Sequence, residues 1–462
     1  MKRSLGLLDV TLFIVIAGTN LQWVATAGNA GAQSIAVWLI GAAVLFVPLI
    51  VAVAFLSSVY PEEGGIYVWA REVFGPFWGF LCGWLYWASN LPYLPVLLYF
   101  TIGNALYAIY GSAGAHASPS VFIFWSLAGL ALGTVVNIFG LDSAKWLNNI
   151  GSISRWLATI VLVVLGIVSF ARFGSATGFS AHALVPGLSL TDMLFWITIA
   201  FAYAGPESVA CLCGEIREPR RSVPLGLAAG APLIVLLYIA GTVAILVAMP
   251  PNSVDKMYGV MQTIDSAAAR VGVPMLTKIA GILVTVSCLG SVGAWVCSTA
   301  RLPFAAGLDA YLPRAFGRMH PRYGSPVVAL VVQSVITAII AVLGQSGTSV
   351  RGAYDVLIGM GVIATYLPYL FLFGAVLFTR VAFPADLAIP GGRRTVVAAG
   401  IIGLMTTAAT IVLSTLPSAD ETNKPLAVFK VIGLAFVLVG AGVALYYNGA
   451  RNRARRLSTA EV

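Results

Sequence analysis

Apolar runs of about 20 residues or longer, separated by short polar gaps, recur along the whole chain. At about 20 apolar residues per bilayer crossing they predict twelve spans. These lie near 8–28, 34–56, 78–109, 120–139, 147–171, 191–214, 225–249, 274–298, 326–344, 354–379, 396–416 and 427–447. The gaps are too short for a soluble domain, and the longest, near 172–190, 250–273 and 299–325, have room for short helices alone. A single transmembrane domain over 1–462 is therefore expected, closed by a basic tail at 448–462.

Two of the runs are interrupted. In span six, the stretch FAYAGPESVACLCGE (201–215) sets Gly205-Pro206 and then an ionisable side chain, Glu207, inside an apolar crossing. Proline donates no amide hydrogen bond and its ring disfavours the preceding turn, so a break is expected near 204–207. Span one, FIVIAGTNLQWVATAGNAG, is a weaker case, with Gly18, Thr19, Asn20, Gln22, Thr26 and Gly28 inside a predicted crossing. Backbone freed in hydrocarbon must meet protein, water or ligand. Breaks five spans apart fit inverted repeats with a binding site between two broken helices.

Composition narrows the class. Of 462 residues, 59% are hydrophobic and 9% charged, with mean hydropathy +0.94, too little polar surface to wrap a soluble core. The net charge of +9 does not suggest nucleic acid, because the 26 Lys and Arg residues are thinly spread through the gaps. Most fall on one side, including Arg217, Arg220, Arg221, Arg301, Arg314, Arg318, Arg322, Arg380, Arg393, Arg394 and the tail arginines. The positive-inside rule then puts both termini in the cytoplasm of a multi-pass cell-membrane protein. Lys2-Arg3, the first apolar run and Ala25-Thr26-Ala27 mimic a cleavable signal, but Asp9 and the many following spans favour an uncleaved first span. The five cysteines lie in apolar runs without metal-binding spacing, and Cys211-x-Cys213 is most simply a helix-packing pair. No metal or cofactor is expected. His116, His182 and His320 fall in predicted loops.

Several stretches carry a family resemblance. AGPESVACLCGEIREPRRSVP (204–224) resembles the sixth-span signature of the amino acid–polyamine–organocation superfamily, in particular its arginine:agmatine antiporter group. CLGSVGAW (288–295), PEEGGIYVWAREVFGPFWGF (61–80) and YLPYLFLFGAVL (366–377) resemble that group's eighth span, its loop between spans two and three, and its tenth span. NLPYLPVLLYF (90–100) is similar to the glutamate:GABA antiporter branch. The resemblance implies an all-α polytopic fold of twelve helices: a five-plus-five inverted repeat (about 8–171 and 191–379, helices 1 and 6 broken) and two C-terminal helices (about 396–447). It implies alternating access for amino acids or related amines. Phe201 falls at the position of the group's substrate lid, Trp295 at its deeper gate, and Glu207 at its pH-responsive glutamate.

Two positions depart from the pattern. Asn20-Leu21-Gln22 stands where relatives have a Gly-Ser-Gly-type element whose amides hold a carboxylate, so the side-chain amides of Asn20 and Gln22 are candidates for that role. In LNNIGSISRW (147–156), similar to the fifth-span start of related permeases, Arg155 stands where a lysine often sits. Arginine keeps its charge, so it can bridge spans one, five and eight as sodium does elsewhere but cannot shuttle protons. The alternative is a cation snorkelling to the interface beside Lys145. Glu207 is either a titrating group or a neutral staple of the broken helix. Gly205 and Pro206 mark either a site or a simple kink. Tyr93, Phe201, Tyr203, Trp295 and Tyr369 are either substrate-facing aromatics or packing.

The expected function is secondary transport of an amino acid or related amine, and an enzyme is not expected, since no HExxH, prenyl-transfer or Walker motif occurs. A proton-coupled polyamine carrier is the alternative; an intramembrane enzyme and a channel are remote rivals. The expected partners are a small-molecule substrate and the lipid bilayer. Some relatives form dimers, so a homodimer stays open.

Overall fold

The computed structural model describes residues 3–309, 311–345, 349–416 and 424–458; Lys2 and the last four tail residues lie outside the described residues. Span one consists of α1 (Leu7–Gly18) and α2 (Leu21–Ala30). Span two runs through α3 (Gln33–Gly41), a wide turn at Ala42–Phe46, and α4 (Val47–Val59). A loop and the short α5 (Ile66–Phe74) lead into span three, α6 (Pro76–Tyr110). Spans four and five are α7 (Pro119–Ile138) and α8 (Leu141–Phe173). The short α9 (Ala181–Leu184) precedes span six, which is α10 (Leu190–Ala202) continued as a tight 3-10 segment at Pro206–Glu215.

Span seven is α11 (Pro219–Ala248), followed by α12 (Gly259–Val271), span eight as α13 (Met275–Thr299), and α14 (Arg301–Leu308). Spans nine, ten, eleven and twelve fall on α15 (Val327–Gly344), α16 (Val350–Phe378), α17 (Gly392–Ser414) and α18 (Lys424–Ser458). Among the described residues, ten helical stretches are long and apolar enough to cross a membrane. The expected all-α polytopic architecture is present. Span seven starts six residues before the expected 225, because Pro219 suits a first helical turn, where no amide partner is needed.

Spans one, three, six and eight form the buried centre. Spans four and nine instead turn large side chains outward, Phe124, Leu132, Val335 and Ile339 among them, as suits a lipid-facing periphery. Close crossings inside use glycine. A methyl group added to Gly290 would sit 2.7 Å from the Gly151 Cα, so α8 and α13 meet backbone to backbone.

Candidate functional site

Both interruptions are real and they touch. In span one, α1 stops at Gly18; Thr19 and Asn20 are extended (φ −127°, ψ 138° and φ −142°, ψ 127°) before α2 restarts at Leu21. Asn20 does not cap the new helix with its side chain, although its carbonyl accepts from the Trp23 amide (3.1 Å). In span six, α10 ends at Ala202, and Gly205 takes φ 133°, ψ −41°, a conformation open to glycine. Pro206 then opens the 3-10 segment. A methyl on Gly205 would run into the Ala17 carbonyl oxygen, and one on Gly18 would lie 2.8 Å from Pro206 Cγ. The breaks therefore cross in direct backbone contact.

Each break is held by different groups. Glu207, 3% exposed, turns back on its own break: Oε2 accepts from the Gly205 amide (2.8 Å) and Oε1 from the Tyr86 hydroxyl (2.8 Å). The Tyr369 hydroxyl lies close to the same carboxyl without a well-aligned hydrogen bond. Asn20 donates its amide to the Tyr238 hydroxyl (3.1 Å) and its Nδ2 to the Tyr93 hydroxyl (2.7 Å). Tyr238 in turn lies within donating distance of Ala202 O (2.8 Å) and Gly18 O (3.1 Å). One span-seven hydroxyl therefore knots both breaks.

Arg155 is fully buried and reaches away from the interface. Its Nη2 donates to Ser291 Oγ (2.7 Å) and Ser287 O (3.1 Å) of α13, and Nη1 to Thr19 Oγ1 (3.4 Å) at the span-one break. Ser291 continues the chain to Ile16 O (3.3 Å). The side chain thus spans five, eight and one, the three elements expected of a bridge, and not the snorkelling position beside Lys145. Its described hydrogen-bond partners are hydroxyls and a carbonyl, with no carboxylate among them.

Aromatic rings cover the breaks on one side. Trp23 meets Phe201 edge to face (5.5 Å), Phe201 meets Tyr93 (5.8 Å), and Tyr93 meets Trp295 (5.5 Å). Beyond Trp23 opens a vestibule of about 410 Å³, lined among others by Thr26, Gln33, Asp192, Lys256 and Tyr354. Buried polar atoms without partners occur on the residues of this region: Asn20 Oδ1, Gln22 Nε2, Trp295 Nε1 and Arg155 Nε. Buried polar atoms are rarely left unsatisfied, so this cluster suits a polar ligand or water. Gln22 sits in the first turn of α2, with Oε1 3.4 Å from the Tyr354 hydroxyl.

Of the residues singled out from sequence, Asn20, Gln22, Tyr93, Phe201, Gly205, Pro206, Trp295, Glu207 and Arg155 converge here, with Tyr369 on the far side of Glu207. Tyr203 does not. Its ring stacks on Phe46 (4.6 Å) and its hydroxyl donates to Trp38 O (3.0 Å), so it belongs to the packing between spans two, six and seven. Tyr86 and Tyr238 were missed. Tyr86 lies two helical turns before Tyr93, on the same face of span three, a spacing that could have flagged it. Tyr238, in an ordinary apolar stretch of span seven, carries no such signal.

Comparisons agree with this geometry. Residues 5–438 match the family profile described as Amino acid permease. An uncharacterized transporter of Legionella pneumophila is 27% identical over 438 residues, covering 93% of each chain. One from Mycobacterium tuberculosis is 29% identical over 371 residues, 78% of each chain. The crystal structure of MhsT in complex with L-phenylalanine shares the fold, with TM-score 0.63 and 16% identity over 90% of this chain and 100% of that one. With a family profile spanning nearly its whole length, the chain belongs to the amino acid permease family, as a membrane transporter.

Proposed function

We propose that the chain is a secondary active transporter of an amino acid or related amine, working by alternating access in the cell membrane with both termini cytoplasmic. The observation that carries this reading is the pair of touching breaks, at 19–20 and 203–205, with partnerless buried polar atoms and a run of aromatic rings around them. The amino end of α2, which has no side-chain cap, presents the positive end of a helix dipole, which suits a substrate carboxylate. Asn20 Oδ1 and Gln22 Nε2 add an acceptor and a donor. Phe201 and Trp295 act as successive gates, with Tyr93 between them. The repeats near 8–171 and 191–379 exchange access about this point.

Arg155 takes the place of a bridging sodium ion, so transport is sodium-independent. Its charge is permanent, and any proton coupling falls to Glu207, which holds the span-six break and can change protonation as its contacts change. The purified protein, screened by thermal shift against amino acids and amines, should be stabilised by its substrate through mass action. That substrate should then drive saturable counterflow in proteoliposomes, unchanged when sodium is replaced by choline. Non-saturating flux would assign a channel instead, and a sodium requirement would remove the role of Arg155.

A further inference from the structure

A second buried charge cluster lies away from the substrate region, at the end of the bundle that carries the amino terminus. Arg301, at the start of α14, directs Nη2 to both oxygens of Glu215 (2.9 and 3.1 Å) and Nη1 to Cys297 O (2.6 Å). Glu63, in the loop between spans two and three, brings Oε1 to 3.7 Å from Arg301 Nε. Neither Glu63 oxygen has a well-aligned hydrogen-bond partner, the Gly214 amide being the nearby donor, and the three side chains are 3–5% exposed. Two carboxylates thus face one guanidinium in a closed space, and one charge is left over when both are ionised.

The cluster sits at a seam. Glu215 ends the 3-10 half of span six, and its carbonyl accepts from the amides of Ser4 (3.0 Å) and Leu5 (3.2 Å). The Gly64 amide, next to Glu63, donates to Cys211 O (3.4 Å) of the same segment. Any movement of the span-six half against the first loop must separate Glu63 from Arg301 and Glu215.

We propose that Glu63 is a proton-binding site that locks this end of the transporter: one bound proton neutralises the surplus charge and holds the first loop, span six and span eight together, and its release favours opening. Among the described residues, the titratable or charged groups facing Glu63 are Glu215, Cys211 and Cys213 on the 3-10 segment, Arg301 on α14 and Cys297 on α13, and the charge of the chain's amino terminus also acts on it. Arg71 is engaged elsewhere, with Glu62, Glu72 and Asp309.

Burial first, and then the Glu215 charge, push the Glu63 carboxyl from 4.5 up to about 8, against the opposing pull of Arg301, the amino-terminal charge and the Gly214 amide. An opened seam returns it to water and toward the ordinary value. The closed form's advantage is therefore complete below the ordinary carboxylate value and is lost as pH rises to the raised one, by up to about tenfold in the closed-to-open ratio per pH unit. Glu207 is a separate group, tied to Tyr86 and Gly205.

That an end opens at all rests on the alternating-access reading, but the test needs no substrate, so failure of transport and failure of the lock are distinguishable. Cys211, Cys213 and Cys297 are buried beside the cluster and serve as native reporters. Their labelling by a water-soluble maleimide is measured in nanodiscs from about pH 6 to 8.5, each rate divided by that of Glu63→Gln to cancel thiol ionisation. The ratio should rise about fivefold or more across this range. Glu63→Ala should match Glu63→Gln, and Glu62→Gln should keep the wild-type slope. Amide exchange of wild type at 211–216, corrected for the intrinsic rate, should lose protection over the same range and reads the lock without any variant. A flat ratio, or unchanged protection, overturns the proposal.

Discussion

The two broken spans reach the same end by different means. Span six is interrupted by its covalent structure: Pro206 has no amide to give and Gly205 sits at φ 133°, so the helix cannot pass through this point unaltered. Its own Glu207 supplies the acceptor for the freed Gly205 amide. Span one has no such obligation. Thr19 and Asn20 are compatible with a helix, and their extended geometry is held from outside, by Tyr238, Tyr93 and Arg155. The lesson is that break six is a fixed hinge and break one is conditional, lasting while spans three, five and seven stay in place. A transporter that must rearrange between two states benefits from one of each.

Substitutions can break this contrast, in falling order of effect. Gly205→Ala forces a side chain into a strained conformation and against the Ala17 carbonyl, and should cost roughly 3 kcal/mol or more, read as lost thermal stability and lost counterflow. Arg155→Gln removes the link between spans one, five and eight and should lower counterflow by about tenfold or more. Arg155→Lys should recover only part of it, since one ammonium cannot replace a fork that reaches both Ser291 and Thr19. Tyr238→Phe leaves the Asn20 amide unpaired and should cost about 1–3 kcal/mol by thermal unfolding. Glu207→Gln keeps an acceptor for Gly205, so stability should change by less than about 1 kcal/mol while the part of the pH dependence of transport that Glu207 carries is lost, leaving the part set by Glu63. Tyr203→Phe loses a single bond to Trp38 O, about 1 kcal/mol, with transport unchanged. A Tyr203→Phe variant that transports poorly would move this residue back into the site.

How much of this was legible follows from the same contrast. The spans were readable because a crossing in hydrocarbon needs a long apolar run, whatever packs around it. The Gly-Pro break was readable because proline acts locally. Tyr238 was hidden because its importance comes from where span seven crosses the two breaks, a tertiary fact. Arg155 left two destinations open, and the close crossing at Gly151 and Gly290 decides between them by bringing Ser287 and Ser291 within reach. Tyr203 misled for a related reason: α10 ends at Ala202, and past a helix end the regular spacing no longer says which way a side chain points.

The central claim, that the paired breaks are the ligand site, is tested most directly by hydrogen exchange in nanodiscs, with and without the amino acid or amine that stabilises the protein in a thermal-shift screen. The account predicts new protection in peptides covering 16–24 and 201–209, with α17 unchanged. Protection confined to other segments, with both breaks exchanging as before, would contradict it.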